Sequence, residues 1–102
     1  MRNSRSKISD ARRYSVLQED LSICYFCGGR ATDKHEIFSG TANRQKSKDY
    51  GLVVGLCRAH HEMVHRYPKG ECNRILRIDG QMKFEESHSR EEFIAKFGKS
   101  YL

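Results

Sequence analysis

Four of the ten residues in LCRAHHEMVH, Leu56 to His65, are cysteine or histidine, side chains that hold metal ions through thiolate sulfur and imidazole nitrogen. A second short pair stands upstream, Cys24-x2-Cys27, and twenty-nine residues separate it from Cys57-x2-His60. Two ligands with two residues between them on a tight turn can face one ion, and two such pairs complete a tetrahedral donor set. Cys24, Cys27, Cys57 and His60 are therefore expected to bind a structural Zn2+. Cys72 falls outside the spacing and reads as a small buried hydrophobe.

His61 and His65 lie four residues apart, so on a helix they share a face and can grip one ion together. Consecutive His60 and His61 point about a hundred degrees apart on the same helix. One turns to the cysteines and the other turns away. His35, beside Glu36 in the strand-like piece KHEIF, supplies a third imidazole for the second ion.

Positioning these side chains calls for a small set of elements. A short strand-like SICYF leads into the glycine-containing turn CGGRATD, and KHEIF and YGLVVGLC read as the two strands of a hairpin. SGTANRQKSKD, between Ser39 and Asp49, is polar and basic and reads as a loop or an exposed turn of helix. Arg58 to Tyr67 should be helical and stop before Pro68. At the N-terminus, Ser9 or Asp10 can cap a helix over ARRYSVLQEDL. Near the C-terminus, Ser89 with Glu92 matches a capping box, Phe93, Ile94 and Phe97 form an apolar stripe, and Gly98 ends it.

From Cys24 to His65 the chain resembles the HNH endonucleases, also described as ββα-metal or His-Me finger nucleases. The parts that carry the likeness are CYFC, HEIFSGTANR, YGLVVGLC and CRAHHEMVH, in the family's order. Small phage and prophage members with a cysteine-rich knuckle are the most similar in arrangement. The resemblance implies an α+β fold, a zinc-stapled ββα-metal domain over residues 21–67, with a basic N-terminal segment or helix over 1–20. Residues 68–102 form a C-terminal extension whose helix packs on the core. In the family, the first strand carries a metal ligand followed by a general base, usually histidine. Lys34 cannot fill the ligand position, because a charged ammonium has no lone pair. The resemblance therefore implies His35, His61 and His65 as ligands of a catalytic divalent ion (Mg2+, Mn2+, Ni2+ or Zn2+). Glu36 stands at the general-base position and Ile37 at the apolar position that follows it. The family's middle asparagine, which pins the loop, has no counterpart around Tyr50-Gly51-Leu52, and Asn43 is a candidate at a different spacing.

The implied activity is hydrolysis of phosphodiester bonds in DNA, with RNA as an alternative, at low sequence specificity. Arg44 is the candidate phosphate clamp, because guanidinium matches phosphate bidentately. Lys46, Lys48 and Asn43 are candidate nucleic-acid contacts. The rival reading is a non-catalytic, zinc-stapled nucleic-acid-binding module with a degenerate active site. A purely structural or protein-binding zinc domain is a third, against which the basic loop speaks.

Bulk properties agree with an anionic partner. The 102-residue chain carries 19 Lys and Arg against 13 Asp and Glu, a net charge of +6, and its isoelectric point is near 9.3. A basic surface attracts a phosphate backbone and releases its counterions. No apolar run approaches a membrane span, and the basic start lacks the apolar core of a signal peptide. The expected setting is the cytoplasm, where thiols stay reduced and bind metal, and the resemblance adds a bacterial host and a phage or prophage origin. The resemblance alone implies the protein partners: a second copy in a homodimer, or phage packaging or recombination machinery.

Overall fold

The computed structural model describes residues 13–102 and is a small α+β fold. Its elements run β1 (Asp33–Glu36), α1 (Thr41–Asp49), β2 (Val53–Leu56), α2 (Arg58–Arg66), α3 (Glu71–Phe84) and α4 (Arg90–Phe97). Among the described residues, no helix is long and apolar enough to cross a membrane.

The two strands pair antiparallel, with His35 opposite Val54 and Glu36 opposite Val53. Every residue of β2 is buried, which explains its apolar composition. The strands are joined by a helix rather than a tight turn: of the two readings of SGTANRQKSKD, a loop or an exposed turn of helix, the helical one holds. Most of it forms α1, whose one fully buried side chain is Ser47. Ser47 Oγ accepts from Phe38 N at 3.1 Å and donates to Phe38 O at 2.8 Å, pinning the residue that follows β1 and Ile37. Lys46 and Lys48 sit in the last turn of α1, where positive charge suits the helix dipole.

The N-terminal expectation needs correction. Ser9 and Asp10 lie outside the described residues, and Arg13 to Leu21 are not helical. Ser15 Oγ accepts from Leu17 N and Gln18 N, closing a local turn that competes with helix. Gln18 then bridges Ile23 O and Gly55 N through its amide. SICYF likewise forms no strand beyond a single bridge between Ile23 and Arg30.

This segment crosses β2 at Gly55, where a Cβ would stand 2.2 Å from Leu21 O and 2.9 Å from Ile23 O. Both obstacles are backbone, so neither can swing aside. Gly55→Ala is expected to destabilise the fold by about 3 kcal/mol, the upper end of overpacking effects. A urea midpoint equal to that of the parent chain would show that Leu21 to Ile23 is not seated there.

The core is built by Ile37, Phe38, Leu52, Val54, Leu56 and Val64 with Leu76, Phe84, Phe93 and Phe97 from the last two helices. Phe38 is its aromatic centre, 5.2 Å from Phe93 and 4.8 Å from Phe97 between ring centroids. Helix α4 carries the expected capping box at Ser89 and Glu92, and ends at Gly98 with φ +100°. Only glycine adopts that conformation without strain. Phe93 and Phe97 face the core, whereas Ile94 stays largely exposed.

The C-terminal extension holds two helices rather than one. Helix α3 packs against α2 and ties it down through a buried amide: Asn73 Nδ2 donates to Val64 O at 2.8 Å and to Tyr67 O at 3.3 Å. These carbonyls belong to the last turn and cap of α2, where no intrahelical donor reaches them.

Candidate metal centres

Helix α2 begins at Cys57, whose side chain makes no cap hydrogen bond. Its sulfur points instead into a cluster in which the donor atoms of Cys24, Cys27, Cys57 and His60 all lie within 4.8 Å of one another. Cys27 Sγ is 3.8 Å from Cys57 Sγ, and His60 Nδ1 is 3.3 Å from Cys57 Sγ and 3.5 Å from Cys24 Sγ. A tetrahedral ion with bonds of about 2.3 Å to sulfur and 2.0 Å to nitrogen sets sulfurs about 3.8 Å apart, and sulfur and nitrogen about 3.5 Å apart. The four donors fit one metal ion.

Backbone hydrogen bonds shape the knuckle around the cluster. Cys24 N donates to Gly29 O, Gly28 N donates to Cys24 O, and Tyr25 N donates to Gly55 O on β2. Tyr25 Oη reaches Asp79 of α3 at 2.7 Å, so the knuckle is tied to sheet and helix alike. Burial raises the Cys24 thiol, but backbone N–H groups of Cys57, Cys27 and Phe26 aimed at its sulfur outweigh this and bring it down to about 6. A thiolate is the form that binds metal. Cys72 stays outside the cluster and packs against the core, as its spacing suggests.

A second set lies on the other side of α2. His35 of β1 and His61 and His65 of α2 bring one imidazole nitrogen each to within 4.8 Å of the others. His61 Nε2 and His65 Nε2 are 3.0 Å apart. Two nitrogens bound at about 2.0 Å stand about 2.8 Å apart at a right angle and 3.3 Å apart at the tetrahedral angle. The observed spacing falls between these limits. His35 Nε2 is buried and has no hydrogen-bond partner among the described residues. Burial, then the neighbouring imidazoles and the Arg77 and Arg44 charges, push His35 down to about 4. It therefore stays neutral with a lone pair to give, the state a metal requires.

Asp33 was not visible as a functional residue in the sequence. Its Oδ2 lies 3.1 Å from His61 Nδ1, while His61 Nε2 faces His65. A carboxylate on one ring nitrogen fixes the tautomer that leaves the other bare. The signal was there in retrospect: Asp33 and His35 alternate onto one face of a strand. Asp33→Ala is expected to weaken a divalent ion at the three histidines by about 10- to 100-fold, measured by Mn2+ or Ni2+ titration calorimetry. An unchanged affinity would make Asp33 a bystander.

Glu36 is 9% exposed and sits between two guanidinium groups. Arg13 Nη2 is 2.6 Å from its Oε2, and Arg44 Nε is 3.9 Å from its Oε1. Arg13 was not foreseen in this role. Arg44, the candidate phosphate clamp, keeps 61% of its side chain exposed beside this carboxylate. Lys46 does not stand out as a steering charge, because its ammonium donates to Lys96 O at 2.7 Å and fastens α1 to α4. Asn43 and Lys48 are half-buried on α1. A cleft of about 520 Å³ runs past His61 and Asp33 and is lined also by Arg13 and Lys34.

No family model, curated protein or solved structure matches the chain.

Proposed function

We propose that the protein is a metal-dependent endonuclease of the HNH type, with a structural Zn2+ at Cys24, Cys27, Cys57 and His60. The observation that carries this reading is the second donor set, His35 from the strand with His61 and His65 from the helix, with His61 lining a cleft shared with Arg13, Asp33 and Lys34. A structural zinc site uses four protein ligands, whereas three leave room for substrate and water. A divalent ion held by His35, His61 and His65 would supply positive charge to phosphoryl oxygens and to a departing 3′ oxygen.

The chain's own groups have separable tasks. Glu36 takes the proton of the attacking water through Oε1, since Oε2 is held by Arg13 at 2.6 Å. Arg44, with its guanidinium largely exposed, meets the phosphate. Asp33 holds the His61 ring, and Ser47 pins the chain just past Glu36, the task for which Asn43 was a candidate. Basic side chains contact the backbone rather than base edges, which accords with low sequence preference.

The rival binding module draws on one observation: the pairing of Glu36 with Arg13 and Arg44, which occupies the candidate base. Incubating the zinc-loaded protein with supercoiled plasmid and Mg2+, Mn2+, Ni2+ or Zn2+ separates the readings. Nicking that His61→Ala abolishes is the expected result. Retention of plasmid without cleavage under any of these ions would sink the nuclease in favour of the binding module.

A further inference from the structure

Beyond the histidine face, a shallow cavity of about 200 Å³ lies where the start of α3 meets the C-terminal residues. Lys69, Arg74, Arg77, Lys99 and Tyr101 line it together with Gly70 and Ile78, and no acidic side chain does. Four cations converging on one concavity repel one another unless an anion joins them. Among the described residues, only Arg74 of the four has a carboxylate beside it, Glu71 at 2.6 Å, in an exposed pair that water screens.

The cavity is built rather than incidental. Tyr101 is anchored by its backbone N–H to Gln81 Oε1 at 2.7 Å and packs its ring 5.5 Å from Phe38. The Arg77 guanidinium stands 5.7 Å and the Lys99 ammonium 5.1 Å from the centre of that ring. An aromatic face holds cations by its quadrupole, so Tyr101 draws both charges toward the cavity. Arg77 also donates to Pro68 O at 3.2 Å, three residues beyond His65. Arg77 thus ties the cavity to the chain that leaves α2, the helix carrying His61 and His65.

We infer that Lys69, Arg77 and Lys99 around Tyr101 form a second phosphate site, which seats the polynucleotide backbone next to the phosphate at the histidines. Arg74 adds to its positive field. Because the Tyr101 ring already meets Phe38, Arg77 and Lys99, it is not presented for stacking on a base. The site reads phosphates, and so takes duplex as well as single strands. This placement rests on the nuclease reading for its neighbour, but the site stands or falls on binding alone.

The test uses the full zinc-loaded chain without added divalent ion and a labelled 20-base-pair duplex, followed by fluorescence anisotropy at several salt concentrations. Lys69→Gln and Lys99→Gln, both exposed, are expected to weaken binding roughly five- to tenfold each near 0.1 M salt. Each should flatten the log–log salt slope by about 0.9. Lys83→Gln, a change of the same charge at a residue that does not line the cavity, is the control and should do neither. Arg77→Gln should weaken binding at least as much, with circular dichroism checking that it folds. Inorganic phosphate at constant ionic strength should fail to displace the duplex. Equal losses in Lys83→Gln and the cavity variants would overturn the site, as would unchanged slopes, a wild type that does not bind, or displacement by millimolar phosphate. Plasmid cleavage with unchanged slopes would remove this site and leave the nuclease; weakened binding without cleavage would do the reverse.

Discussion

Cys57→Ser, or removal of metal by a chelator, is expected to unfold the chain rather than to loosen it. The sheet has two strands of four residues each, and one small aromatic and aliphatic cluster is the core. A domain of this size has a native stability of about 5–15 kcal/mol at best, and structural zinc binding contributes about 10–16 kcal/mol in small zinc domains. The ion is thus comparable to the entire stability. Its loss also leaves Cys24, Cys27 and Cys57 facing one another with no cation between them. Acid should act in the same direction. Cys24, lowered from an ordinary value of 9.0 to about 6, favours folding fully above pH 9 and loses that contribution as pH falls through 6. Protons compete with metal for the same sulfurs. Circular dichroism melting with and without chelator, beside a metal count, checks the expectation. Cys72→Ser is the control and should keep its metal. A metal-free chain that melts cooperatively at the temperature of the loaded one would remove the staple from the fold.

The two donor sets were legible in the sequence because spacing constrains all their members but His35, whose place came from the resemblance. A pair with two residues between its members on a turn and a pair four residues apart on a helix leave few other ways to point, and adjacent His60 and His61 had to diverge. The strands and α4 were legible for the same reason, with a β-branched run at β2 and both cap residues at α4.

What stayed hidden depends on contacts that no periodicity announces. The buried face of α3 is Asn73, Leu76, Gly80, Gln81 and Phe84, which shows little apolar stripe. It packs because Gly80 lets Ile37 and Phe38 approach, and because each amide meets a specific partner: Asn73 the end of α2, Gln81 the backbone of Tyr101 and the Ser100 hydroxyl. Helix α1 is quieter still, with a serine as its buried residue. Conversely, the apolar residues after Asp10 suggested a helix where Ser15 and Gln18 bind the backbone instead. Asp33 and Arg13 escaped for a related reason, since a charged residue shows its partner only once the strand is paired and the chain has crossed it.

Glu36→Gln is expected to lower cleavage by about a hundred- to ten-thousandfold, the range of a general base, while both donor sets keep their ions. Glu36 belongs to neither set, so a metal count separates loss of chemistry from loss of the centre. The substitution also breaks the ion pair between Glu36 and Arg13, whose guanidinium still donates to Lys34 O, and so costs some stability of its own. Melting curves must therefore accompany the rates, and Arg13→Gln combined with Glu36→Gln removes both charges at once. If stability returns in the double variant and activity does not, the carboxylate acts on the proton rather than through Arg13. Glu36→His places at this position the residue usual in the resembled family, and should cleave faster than Glu36→Gln, because a neutral imidazole accepts a proton and an amide does not. A fully active Glu36→Gln would assign the carboxylate to holding Arg13 and Arg44. A histidine variant no better than the glutamine one, with metal and melting intact, would point the same way, and the base would then have to be sought among the groups of the cleft beside His61.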